Sequence, residues 1–282
     1  MKVAFVGTGD ASLDRYPPGG GIEHQVWILA RELAARGHEV SILTRDGPDR
    51  GSNPRIVHVP CKGDGHVLPK LAMGRRAARW LREHPQDVVY LPEKWVSLAP
   101  SRLDAAKVYA THNKDAFATY RRLAYRDHPV NLVFFDVKRA LEEREMRRAH
   151  VVAANSEGIA DHLRARGMPN VELLPPAVEI DAFRAGPETE PPYLFASAQL
   201  LPVKGTHHLV EAFAAVASKH DGWRLVVGGR GPERPRLEAM ARALGVAERV
   251  DFVGWQEREA YVERLGRCAA FVLPSLAETF GT

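Results

Sequence analysis

Cysteine is nearly missing: there are two in 282 residues, Cys61 and Cys268, far apart and without a CxxC neighbour. This argues against a disulfide framework and a structural zinc site, and makes a reducing cytosol the expected compartment. No apolar run is long enough to span a bilayer. The opening Met1-Lys2-Val3-Ala4-Phe5-Val6-Gly7 reads as a strand and lacks the long apolar core of a signal peptide. No Asp-x-Asp carboxylate pair occurs. A strong charge of one sign is lacking too: 39 Lys and Arg face 35 Asp and Glu, for a net charge of +4. That balance permits anionic ligands, nucleotide phosphates or lipid headgroups, and does not call for nucleic acid. With 45% hydrophobic and 26% charged residues the composition is globular, which sets aside disorder and fibrous classes. The length suits one large domain or two smaller ones.

Short β-branched runs alternate with helical patterns, the signature of a parallel α/β architecture. In the first half the spacing predicts strands at Val3–Gly7, Glu39–Thr44, Arg55–Pro60, Val88–Leu91, Val108–Thr111, Val151–Ala154 and Val171–Leu174. Most are apolar throughout, as strands covered on both faces should be. A helix is predicted over Glu23–Arg36, with Val26, Leu29, Ala30 and Leu33 on one face and Gly37 as its stop. The second half repeats the style. Strands are predicted at Tyr193–Ala198, Arg224–Gly228, Val250–Val253 and Ala270–Leu273, and helices at Thr206–Ser218, Glu233–Leu244 and Glu257–Arg267. Between the halves lies a stretch rich in proline and acidic residues, with Pro175, Pro176, Pro187, Pro191 and Pro192, which suits a stiff link. The reading is two Rossmann-like, doubly wound domains: 1–176, a hinge over 177–192, and 193–282. The second has four strands where a doubly wound sheet usually has five or six, so it is expected to be incomplete and the chain a fragment of a longer enzyme.

Gly7-Thr8-Gly9 invites a dinucleotide-binding reading, but the third glycine is replaced by Ser12 and the loop runs on to Gly19-Gly20-Gly21 before the helix begins. Asp46 lies about twice as far from the glycines as the usual ribose-binding acid, roughly 20 residues on. A long glycine-rich loop feeding a helix N-terminus fits the close approach of a different anionic group. It also fits a plain surface loop.

Several separated pieces then agree in order. These are Gly20-Gly21-Ile22-Glu23-His24; Thr111-His112-Asn113; Asn155-Ser156; Leu174-Pro175-Pro176-Ala177-Val178; Lys204-Gly205; Gly229-Arg230-Gly231-Pro232-Glu233; Val253-Gly254-Trp255; and Leu273-Pro274-Ser275 with Glu278-Thr279-Phe280-Gly281. Together they resemble glycosyltransferase family 4, retaining enzymes of the GT-B fold with two Rossmann-like domains. The resemblance implies that a nucleotide-sugar (UDP-, GDP- or ADP-linked) binds mainly on the C-terminal domain and the acceptor on the N-terminal one. It implies reaction in a cleft between them, without a bound metal. By position, Lys204 matches the cation on the donor diphosphate. Glu278 matches the first acid of a Glu-x7-Glu pair at the transferred sugar, and His112 the histidine over that sugar. Gly20 and Gly21 match the loop that approaches the diphosphate. Gly205, Arg230 and Gly254 complete the donor-side set, together with Gln199.

Gln199 is also a departure, because the family usually places arginine there. Losing a charged hydrogen bond of about 1.5–3 kcal/mol weakens donor binding about tenfold to a hundredfold, and Arg230 is the candidate to compensate. The hinge reads Pro175-Pro176-Ala177-Val178 in place of Pro-Asn-Gly-Val. The second acid of the pair would fall past residue 282, so weak donor binding and slow turnover, or none, are expected of this chain. The function expected is hexosyl transfer to a glycan, a lipid-linked acceptor or a small molecule. The alternative is a non-catalytic nucleotide- or glycan-binding module of the same fold. Arg75, Arg76, Arg79 and Arg82, with Leu71, Trp80 and Leu81, form a basic amphipathic pattern, and Arg121-Arg122 and Arg147-Arg148 a second basic stretch. Two readings stand: solvated helix faces, the plainer one, or a peripheral contact with anionic lipid on the inner face of a membrane.

Overall fold

The computed structural model describes residues 1–7, 21–45, 53–59, 68–92, 94–111, 139–187, 189–278 and 280–281. Residues 8–20, Asp46, Cys61, His112 and Arg121-Arg122 lie outside the described residues. The chain divides into two compact units, the first running up to Ala177 and the second from Val178 to Gly281.

The first unit contains β1 (Lys2–Val6), α1 (Gly21–Ala35), β2 (Glu39–Thr44), β3 (Arg55–His58), α2 (Leu68–Glu83), β4 (Val88–Leu91), a short α3 (Lys94–Ser97), β5 (Ala106–Thr111), helix α4 over 139–146, β6 (Val151–Ala154), α5 (Glu157–Ala165) and β7 (Val171–Leu173). Its seven strands are ordered β3-β2-β1-β4-β5-β6-β7. All pairs are parallel, with Val3 opposite Val40 on one side and Val88 on the other. The order turns back between β1 and β4, which is the point where such sheets open a crevice at their carboxyl edge. The core follows the predicted pattern: Val3, Phe5, Val26, Ala30, Val40 and Ile42 are buried together, with Leu29 and Leu33 packed against them. Burying a side chain of this size stabilises by about 1.5–3 kcal/mol.

Several strand ends differ from the expectation by one or two residues, among them β1 (Lys2–Val6) and β7 (ending at Leu173). β5 begins at Ala106, two residues early, because Lys107 is tolerated in a buried strand: its ammonium donates to the Leu103 carbonyl at 2.7 Å. β3 stops at His58, though Val59 still donates to Thr44 at 2.7 Å.

The second unit contains β8 (Tyr193–Ser197), α6 (Thr206–Ala217), β9 (Arg224–Gly228), α7 (Arg234–Ala243), β10 (Val250–Gly254), α8 (Arg258–Arg267) and β11 (Ala270–Phe271). The sheet is again parallel, ordered β10-β9-β8-β11, so its first four strands repeat the order of the first unit. One face of β8 packs Ala196 into a core of Leu200, Val210, Phe213, Leu225 and Leu237. The opposite face carries Phe195, whose ring lies 5.8 Å from Tyr261 and 5.7 Å from Phe271. The segment expected to be a stiff link lies along α8: Glu179 pairs with Arg258 at 2.7 Å, and Gly186 N–H donates to the Gly266 carbonyl at 2.7 Å. It contains one 3₁₀ turn, Ile180–Ala182.

Arg249 closes the end of α6. Its guanidinium donates to the carbonyls of Ala217 at 2.7 Å and Trp223 at 2.9 Å, and also to that of His220, while lying 5.6 Å from the centre of the Phe213 ring. Ala217 is the last residue of α6, and its carbonyl has no intrahelical partner. Arg249→Met is expected to lower stability by about 2 kcal/mol, read as a lower urea midpoint with unchanged slope.

Candidate donor-binding site

The site is built on the carboxyl edge of the second sheet, where the order turns back between β8 and β11. Three βα loops meet there. The loop after β8 is anchored by two buried apolar residues, Leu200 and Val203. Its 3₁₀ turn, Pro202–Lys204, ends at Gly205 with φ 65°. Gly205 then opens α6, since its carbonyl accepts from His208 at 2.9 Å. Glycine is required here twice over. The backbone is left-handed, and a Cβ would lie 2.0 Å from the Pro274 carbonyl oxygen.

That close approach joins the second loop, which follows β11. Leu276 N–H donates to the Val203 carbonyl at 2.8 Å, alongside the Gly205–Pro274 contact. The outcome is a paired cation and anion: Lys204 Nζ donates to Glu278 Oε2, and Ser275 Oγ lies 3.3 Å from the same oxygen. The two charged side chains are only 11% and 22% exposed, so the pair sits largely out of water.

The third loop follows β9. A Cβ on Gly229 would lie 1.8 Å from the Ala198 carbonyl oxygen, and one on Gly231 2.2 Å from that of Leu200. Leu200 N–H donates to Arg230 O at 2.8 Å, and Glu233 N–H to Leu200 O at 3.2 Å. Arg230 and Gln199 are both exposed on this edge. Gly254, φ 72°, accepts from Gly229 N–H at 2.7 Å, which is turn chemistry. Burial and then the charges of His208 and Arg236 push the His207 imidazole down, which favours its neutral form at pH 7.

The structure thus gathers Lys204, Gly205, Gln199, Arg230, Gly254 and Glu278 along one sheet edge. Gly21 opens α1 in the other unit. Gly20 and His112 lie outside the described residues. The sequence reading assigned no role to Ser275, nor to the Val203–Leu276 tie. The Leu273-Pro274-Ser275 run was visible, but nothing in its spelling says that it folds against Lys204-Gly205. Among the described residues, no group of three or more His, Cys, Asp or Glu is placed to hold a metal ion.

Residues 19–182 match the family description Glycosyltransferase Family 4, and residues 178–282 match Glycosyl transferases group 1. The chain belongs to glycosyltransferase family 4. Similar relatives include the D-inositol 3-phosphate glycosyltransferase of Xylanimonas cellulosilytica, 29% identical, with 98% of this chain and 72% of the relative aligned. A GDP-mannose-dependent alpha-(1-6)-phosphatidylinositol monomannoside mannosyltransferase of Mycobacterium tuberculosis is 26% identical over 85% of this chain and 65% of its own length. Among solved structures, the sucrose-phosphate synthase of Thermosynechococcus elongatus superposes with a TM-score of 0.77 at 18% identity, covering 100% of this chain and 77% of that one. HepE of Anabaena, solved with UDP and glucose, gives 0.73 at 16% identity, covering 100% and 76%. These likenesses establish the GT-B fold, with its two Rossmann-like units, for this family 4 chain.

Because Gly205 combines a left-handed backbone with contact to Pro274, Gly205→Val is expected to cost more than about 2 kcal/mol. Thermal melts should show this as a marked loss of stability, whereas a Val at exposed Glu211 should shift little.

Proposed function

We propose that this chain transfers a hexosyl group from a nucleotide-sugar to an acceptor hydroxyl, with retention of configuration and without a bound metal. The observation that carries the reading is Lys204 at the start of α6, facing Glu278 across the switch point of the second sheet. A point charge and the free N–H groups of a helix N-terminus act together on a diphosphate. In the reaction the bond from the anomeric carbon to the diphosphate oxygen breaks and a bond to the acceptor oxygen forms. The acceptor proton leaves with the departing diphosphate. Lys204 and the α6 N-terminus balance the charge that grows on the leaving group, which is the task a divalent metal would otherwise perform. Glu278 accepts hydrogen bonds from sugar hydroxyls and faces the developing oxocarbenium charge. By the motif resemblance His112, which lies outside the described residues, also acts on the sugar.

The named relatives support a nucleotide-sugar donor: one is described as GDP-mannose-dependent, and HepE was solved with UDP. Gln199 leaves one cation fewer than the family pattern, and exposed Arg230, whose backbone is tied to Leu200, supplies the replacement. Calorimetric titration with UDP and GDP tests this. Lys204→Ala is expected to weaken nucleoside diphosphate binding at least tenfold. Arg230→Ala is expected to weaken it well beyond an exposed control, Arg242→Ala. No change in either variant would remove the reading.

The same proposal places the chain at an anionic membrane surface. No helix among the described residues is long and apolar enough to cross a membrane. In α2, however, Arg75, Arg76, Arg79 and Arg82 are all exposed, and the opposite face buries Met73, Ala77, Ala78 and Leu81. Among the described residues none of the four arginines has an ion-pair partner. Arg147 and Arg148, by contrast, are used internally, on the Gly167 carbonyl at 3.0 Å and the Glu145 carboxylate at 3.0 Å. Arg147 and Arg148 are thus committed to contacts within the first unit, Arg121-Arg122 lie outside the described residues, and α2 is the face that suits anionic lipid. The chain should co-sediment with vesicles containing phosphatidylglycerol and not with pure phosphatidylcholine. Changing the four arginines to Gln should abolish co-sedimentation.

A further inference from the structure

In this structure Glu278 occupies the position beside Lys204 that an anionic ligand would take. The pair is not a loose surface contact. Both side chains are mostly buried, and the loop bearing Glu278 is fixed to the loop bearing Lys204 by the Leu276–Val203 hydrogen bond and the Gly205–Pro274 contact. A diphosphate arriving at Lys204 meets a carboxylate already there, and two like charges side by side in a half-buried site repel strongly.

We infer that Glu278 is an internal competitor for the pyrophosphate site, and that it becomes available to sugar hydroxyls only once a phosphate has taken Lys204. The inference rests on the donor-site reading above. Glu278 thereby acts as a specificity residue. A free hexose finds the carboxylate engaged, whereas a nucleotide-sugar carries the phosphate that releases it. The hydrogen bond from Ser275 Oγ offers the released carboxylate a holding point that does not depend on Lys204.

The test is calorimetry with UDP and GDP on four proteins: wild type, Glu278→Gln, Lys204→Met and the double variant. Circular dichroism melts check that each is folded. Glu278→Gln keeps the side-chain shape and removes the competing charge. It is expected to bind the diphosphates about three- to tenfold more tightly, and this gain should vanish in the Lys204→Met background. Equal or weaker binding by Glu278→Gln while wild type binds overturns the inference and leaves the donor-site reading intact. A gain that persists without Lys204 also overturns it, since that would be a general charge effect. Absence of diphosphate binding in both wild type and Glu278→Gln overturns the donor-site reading and this inference with it. In a second arm, methyl α-D-glucopyranoside and methyl α-D-mannopyranoside are titrated with and without saturating UDP or GDP. Binding of a glycoside only in the presence of a diphosphate is expected; equal binding without one would overturn the release step.

Discussion

Backbone meeting backbone is what the donor-side architecture depends on. At Gly205 against Pro274, Gly229 against Ala198 and Gly231 against Leu200, the chains come so close that no Cβ fits. Side chains at these places would wedge the three loops apart. With glycine, the loops lock edge to edge, and the rigid sheet beneath sets their spacing. Lys204 and Glu278, 74 residues apart, then converge without either side chain having to search for the other. Such preorganisation is what electrostatic stabilisation of a leaving group requires, because charges already in place need no rearrangement as the reaction proceeds.

The two units use one topological device. Each parallel sheet starts in the same strand order and reverses at its first strand, so each offers a crevice at its carboxyl edge. In the second unit that crevice holds the charged pair. The family assignment agrees with this division: separate family descriptions match the two parts of the chain and meet near residue 180.

Charge is also divided between the units. In the second unit, arginines are largely spent on structure: Arg224 forms a two-point bond with Asp251 across neighbouring strands, Arg249 closes α6, and Arg258 holds the linking segment to α8. Lys204 and exposed Arg230 stand instead on the loops at the sheet's carboxyl edge. In the first unit, α2 displays an arginine stripe with no ion-pair partner among the described residues. Like charges at this spacing cost a helix about 0.2–0.5 kcal/mol per pair, a cost that an anionic surface would offset.

Much of the fold was legible in the chain itself, because strands buried on both faces must be apolar throughout and a covering helix must show its three-four spacing. β2, β4, β6 and β9 fall on their predicted residues. One miss, the early start of β5, lies where a side chain found a partner outside its own segment, as Lys107 did on Leu103. The motif spelling likewise singled out Lys204, Gly205 and Glu278. What the spelling left open was why they belong together. Local sequence determines where the chain extends, coils and turns, since those choices depend on neighbours a few residues away. That Lys204 lies against Glu278, that Ser275 reaches the same carboxylate, and that Arg147 is spent while Arg79 is open depend on which loops the sheet order brings side by side. Those are contacts between residues distant in sequence, and only the packed structure decides them.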